Sequence, residues 1–184
     1  MRDYGKIIPQ FWLGETGKRL RGFPEAQVVA LYLSSSPHAN MLGVYFLPMQ
    51  YLAYETGLGE QGASKGLLRC IEVGFCRYDP ETEFVWVVRL ASIQVGEALA
   101  QNDNRCKGIQ KQYDALPSNP FLPCFFDAYH THFHMQTRRV FEGASKALLS
   151  QEQEQEQEQE QEHPYPGDET QSREDYESFP FGRD

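Results

Sequence analysis

No stretch of this 184-residue chain approaches the ~18 consecutive apolar residues that a membrane helix needs. The first 20 residues hold no long apolar run either, so no signal peptide and no membrane association are expected, and the chain reads as soluble and cytoplasmic. Cysteine is sparse. Cys70, Cys76, Cys106 and Cys124 form no CxxC pair, which points to buried free thiols rather than a disulfide framework. The GxxxxGK[ST] phosphate loop is missing, which excludes ATP-driven work of that type. GxSxG and HExxH are missing as well, so no enzyme activity and no cofactor are expected.

Two patterns mimic chemical motifs. Gly57, Gly59 and Gly62 spell GxGxxG, but they follow a helical pattern rather than a strand and read as a turn between helices. His130, His132 and His134 lie in YHTHFHM. On a helix His130 and His134 are four apart and could share a zinc ion, yet two further ligands are needed and only Cys124 and Asp127 are near. They read as helix-end histidines, and no metal is expected.

The net charge of −9 is unevenly placed. Residues 1–149 carry 15 Lys+Arg against 14 Asp+Glu, a balance of +1, and residues 150–184 carry 2 against 12, a balance of −10. From Gln151 to Glu162 the chain alternates Gln and Glu with nothing apolar to bury. Residues 150–184 are therefore expected to be a disordered acidic tail.

What remains is rich in pattern. Helices are predicted at 16–21, 24–33, 49–55, 63–73, 91–100, 105–116 and 122–133, with any helix across 135–149 weakly supported. Strands are predicted at 43–47, 75–78 and 83–88, the last two joined by the turn Asp79-Pro80-Glu81-Thr82. Three helices followed by a hairpin, with a short strand after the first, is the winged-helix order: mostly α with a small β-hairpin. Tyr51, Leu52 and Tyr54 are expected to pack in the second helix. Leu67, Cys70 and Ile71 form the inward stripe of the third, with Leu68 at its edge. Lys65 and Arg69 then share an outer face. In a helix-turn-helix that third helix enters the major groove of double-stranded DNA. Gln61, Ser64, Lys65 and Arg69 are the candidates for reading bases. Lys18, Arg19 and Arg21, the densest basic cluster, and Arg77 in the hairpin are candidates for phosphates. The alternative is a solvated face on a protein-interaction module.

The runs DYGKIIPQFWLGETGKRLRGFPEAQVVALYLSSSPHANMLGVYFLP, YLAYETGLGEQGASKGLLRCIEVGFCRYDPETEFVWV and DNRCKGIQKQYDALP resemble those of small phage and prophage proteins described as replication-initiation or replisome-organiser-like. The resemblance covers roughly residues 3–134. It implies a winged-helix domain that binds a phage origin inside a bacterial host cell, and a C-terminal region that recruits a host helicase or helicase loader. The expected layout is a winged-helix DNA-binding domain at 1–100, helices packed on it at 101–149 and the acidic tail at 150–184. A homodimer is a further expectation, with the aromatic segment 121–133 either core or dimer surface. A transcriptional regulator and a protein adaptor are the alternative functions.

Overall fold

All four side chains of Phe84-Val85-Trp86-Val87 are buried. An unbroken apolar strand of this kind must be covered on both faces, and that requirement organises the fold. The computed structural model describes residues 4–141 and residue 143; the Gln-Glu run and the acidic tail lie outside the described residues. Strand β3 (Phe84–Val87) pairs antiparallel with β1 (Val44–Phe46) on one side and β2 (Cys76–Asp79) on the other, giving the order β1-β3-β2. The register sets Val44 opposite Trp86 and Arg77 opposite Trp86. Alternation along the strands sends Tyr45, Cys76, Val85 and Val87 to one core and Val44, Phe84 and Trp86 to another.

The helices are α1 (Gln10–Leu13), α2 (Glu15–Leu20), α3 (Pro24–Ser35), α4 (Met49–Thr56), α5 (Gly59–Glu72), α6 (Leu90–Gln94), α7 (Asn104–Asp114) and α8 (Phe121–Phe133). The fold among the described residues is thus mostly helical with one small antiparallel sheet. Helices α3, α4 and α5 cover the first face, where Val29, Leu33, Leu52, Leu67 and Cys70 are buried. Helices α6 to α8 cover the second with Ala91, Ile109, Tyr113, Phe125 and Phe133. Phe121, Phe125, Tyr129 and Phe133 turn inward on α8, so the aromatic richness of that helix is spent on the core. Residues 135–141 are not helical. His134, with φ of 52°, ends α8, and Arg139 Nη1 donates to the carbonyls of Tyr113, Asp114 and Leu116 at 3.0, 3.2 and 2.6 Å. These carbonyls lie at and just beyond the end of α7, where a cation is favourable.

Several boundaries move. Helix α5 starts at Gly59 rather than at residue 63, so the turn between α4 and α5 is only Gly57 and Leu58, with Gly57 left-handed at φ 69°. The predicted helix 91–100 stops at Gln94, because Gly96 takes φ of 135°. On α4, Tyr51 and Tyr54 do not pack inward: they are 46% and 88% exposed, while Leu52 and Ala53 fill the core. On α5 the buried stripe is Ala63, Gly66, Leu67 and Cys70. Ile71 lies at its border and is 36% exposed, and Leu68 is 58% exposed.

Candidate nucleic-acid interface

The close approach of α3 to α5 builds the site. A Cβ on Gly66 would stand 2.7 Å from Val29 Cγ2 and 2.8 Å from the Glu25 carbonyl oxygen. Only glycine admits α3 so near. The approach brings Phe23 and Glu25, at the start of α3, against the flank of α5.

Arg69 is held there on several sides. Its guanidinium lies 4.3 Å from the centre of the Phe23 ring. Nη1 meets Glu72 Oε2 at 2.8 Å and Nη2 donates to the Arg19 carbonyl at 3.2 Å. Its Nε is buried without a partner. Arg19 in turn donates to the carbonyls of Glu72 and Val73 at 3.3 and 3.5 Å, which fastens α2 to the last turn of α5. A cation there also suits the negative end of the helix dipole. Arg21 donates to the Trp12 carbonyl at 3.2 Å and is exposed, as is Lys18.

Lys65 is held far less firmly. Its ammonium sits 3.1 Å from Glu25 Oε1, with 65% of the lysine side chain exposed. The backbone hydrogen bond to Glu25, and after it Lys65, keep the Glu25 carboxyl below its ordinary range. An exposed pair of this type contributes ~0–1 kcal/mol, so Lys65 can exchange Glu25 for another anion at little cost. Between these groups lies a cavity of about 240 Å³, lined by Phe23, Glu25, Lys65, Leu68, Arg69 and Glu72.

Gln61, Ser64, Lys65, Leu68, Ile71 and Glu72 are exposed along the outer surface of α5. Leu68 lines the cavity together with Lys65, Arg69 and Glu72. Of the predicted residues, Arg19 and Arg69 meet at the last turn of α5 and Lys65 stands on the same flank beside Glu25, whereas Lys18 and Arg21 are exposed on and just after α2 with no bond to α5, and Gln61 and Ser64 are exposed on α5. Arg77 does not join them. The pleat turns Cys76 and Tyr78 to the first core and Arg77 to the opposite face, where its guanidinium lies 5.3 Å from the Trp86 ring and Nη1 is 3.9 Å from Cys124 Sγ.

The partners Phe23 and Glu25 escaped sequence reading. The signal for Glu25 was a carboxylate in the first turn of a helix that begins with Pro24; nothing marked Phe23 as a platform for Arg69. A second polar cluster ties α3 to α4: Glu55 accepts from Tyr32 Oη at 2.8 Å and pairs with His38 Nε2 at 2.8 Å, and the His38 ring stacks on Tyr51.

The histidines of α8 are used locally. His130 Nδ1 lies 3.1 Å from the Phe126 carbonyl and His134 Nε2 lies 2.9 Å from the Leu99 carbonyl. Among the described residues no three His, Cys, Asp or Glu side chains are grouped as a metal would require, and no helix is long and apolar enough to cross a membrane. In comparisons with known proteins, no family model, no curated protein and no solved structure matches the chain.

Proposed function

We propose that residues 10–94 form a winged-helix domain that binds double-stranded DNA, and that the chain acts in phage-type replication initiation. The order helix, strand, helix, helix, hairpin, with β1 pairing β3, supports the domain type. One observation carries the DNA reading: the outer surface of α5 is open, and a basic segment, Lys18 to Arg21, is fastened to its last turn. Helix α5 is the groove-entering element. Lys18, Arg19, Arg21 and Lys65 contact phosphates, and Gln61 and Ser64 face bases. Arg69 positions Arg19 rather than touching DNA. The initiation role rests on the resemblance to replisome-organiser-like proteins, whose C-terminal regions recruit a helicase or its loader.

A second reading has its own observation. Leu68 and Ile71 stand exposed on α5, which suits a protein adaptor as well as a groove reader. Fluorescence anisotropy of the full chain with a mixed-sequence duplex separates the two. The DNA reading expects salt-dependent binding that Lys18→Ala, Arg21→Ala and Lys65→Ala together weaken alike on every duplex, while Arg77→Ala leaves it unchanged. Absence of binding at low salt refutes it and favours the adaptor.

A further inference from the structure

We propose that the cavity between the N-terminal segment, α2 and α6 is a binding site for a small uncharged, mainly apolar molecule. This inference stands apart from the DNA-binding reading, because none of the residues assigned to DNA lines that cavity.

The cavity measures about 440 Å³, within the range of roughly 300–1,000 Å³ that small-molecule sites occupy. Phe11, Leu20, Phe75, Val87, Leu90 and Ile93 give it apolar walls. Gly14, Gly17 and Gly74 also line it and put no side chain into it. At Gly74 a Cβ would meet nothing within 4 Å, so the wall there stands back from the space. Residues 6–8 form another side, and a single residue of α6 holds them. The buried Gln94 accepts from the Lys6 N–H through Oε1 at 3.2 Å and donates from Nε2 to the Lys6 carbonyl at 3.1 Å. Lys6 Nζ donates to the Gln94 carbonyl at 2.9 Å. These bonds fix the N-terminal segment as a wall of the cavity without filling it.

The polar groups decide the class of ligand. The charges around the cavity are Lys6 and Arg89 against Glu15 and Glu97, which sum to zero. Arg89 Nη2 lies 3.4 Å from Glu97 Oε1, in a pair that is largely exposed. An ion of either sign therefore meets repulsion as well as attraction at the rim, and among the apolar walls its lost hydration is not replaced. The hydroxyls of Ser34 and Ser92 are spent within the fold, on the Ala30 carbonyl at 2.9 Å and the Tyr129 hydroxyl at 3.3 Å. Thr16 is left: its hydroxyl has no partner among the described residues and can orient an uncharged polar atom. The gain on binding then comes from apolar surface removed from water.

The test uses the full chain and a matched pair of dyes that brighten in apolar surroundings: uncharged N-phenyl-1-naphthylamine, and 1-anilinonaphthalene-8-sulfonate, which adds an anionic sulfonate to the same skeleton. The uncharged dye is expected to bind saturably, one per chain, and the anion about tenfold more weakly or less. In backbone amide NMR spectra the uncharged dye is expected to shift Phe11, Leu20, Phe75 and Ile93 and to leave α7 in place. Ile93 is half-buried, and Ile93→Trp puts a larger ring into the cavity; it is expected to weaken the uncharged dye about tenfold while keeping the parent circular dichroism. Absence of saturable binding overturns the site, and equal affinity for the two dyes overturns the class of ligand. Shifts confined to Tyr4, Trp12 and Leu13, which are exposed outside the cavity, overturn the site as well. So does a folded Ile93→Trp chain that binds like the parent; if that variant does not fold, the shift map of the unaltered chain decides alone.

Discussion

Replacing Gly66 with alanine should loosen the joint on which the α5 surface depends. The added methyl would lie 2.7 Å from Val29 Cγ2, 2.8 Å from the Glu25 carbonyl oxygen and 2.9 Å from its carbon. Val29 is fully buried, so its side chain has nowhere to turn, and the Glu25 carbonyl belongs to the backbone of α3 and moves only with that helix. Overpacking of this kind costs ~1–3 kcal/mol. The better helix preference of alanine returns up to ~1 kcal/mol. The net loss is ~1–2 kcal/mol, which lowers Tm by roughly 3–8 °C in a domain of this size. Gly108 in α7 is the internal control, because a Cβ there meets nothing within 4 Å. Gly108→Ala should raise stability by ~0.5–1 kcal/mol. Thermal melts followed by circular dichroism compare the two variants with the parent chain. If Gly66→Ala melts as high as Gly108→Ala, α3 does not approach α5 this closely and the placement of Phe23 and Glu25 fails with it.

Three further outcomes are expected. Arg69→Ala should cost ~1–2 kcal/mol in denaturant unfolding, since it loses the Phe23 stack and the bond to the Arg19 carbonyl, whereas Lys65→Ala should cost under ~0.5 kcal/mol; equal losses would contradict the different roles given to them. In the native chain Cys124, half-buried, should react fastest with a thiol reagent, while Cys70, its thiol pushed up to about 12 by burial, and Cys76, its thiol pushed well above the usual range by burial, should react only on unfolding; rapid labelling of all four thiols would contradict the cores described. Glu25, Glu55 and Asp127 have carboxyls held below their ordinary values, so the stability they confer is present above the unfolded pKa near 4.5 for glutamate and 3.8 for aspartate and is lost as pH falls through the folded values. Tm should hold from neutral pH down to about pH 5 and fall below it, less steeply in Glu55→Gln; a Tm that rises on acidification would contradict this.

The order of elements from α3 to β3 was legible because strong punctuation marks it: Pro24 and Pro48 open helices, Gly57 and Gly74 close them, and Asp79-Pro80 turns the hairpin. The start of α5 was not legible. Gly59 and Gly62 argue locally for a turn, and it is burial of Ala63, Gly66 and Leu67 against α3 that carries the helix back to Gly59. The same tertiary cause hid the site. Arg69 and Lys65 were legible as cations on one face, but their partners Phe23, Arg19 and Glu25 lie at least 40 residues away in sequence. Arg77 was misplaced for a simpler reason: hairpin membership does not say which way a side chain points, and the alternation that buries Cys76 turns Arg77 to the far face of the sheet. Ile71 shows the limit of a helical stripe, since a residue one step beyond Cys70 lies on the border between core and water.

The most direct test of α5 as the DNA-binding element is backbone hydrogen exchange on the full chain with and without duplex DNA. Slower exchange is predicted across residues 59–72 and in the basic segment 16–21, with α8 unchanged. Protection confined to the Tyr51 and Tyr54 face of α4, or no protection under conditions where the duplex is bound, would contradict the account.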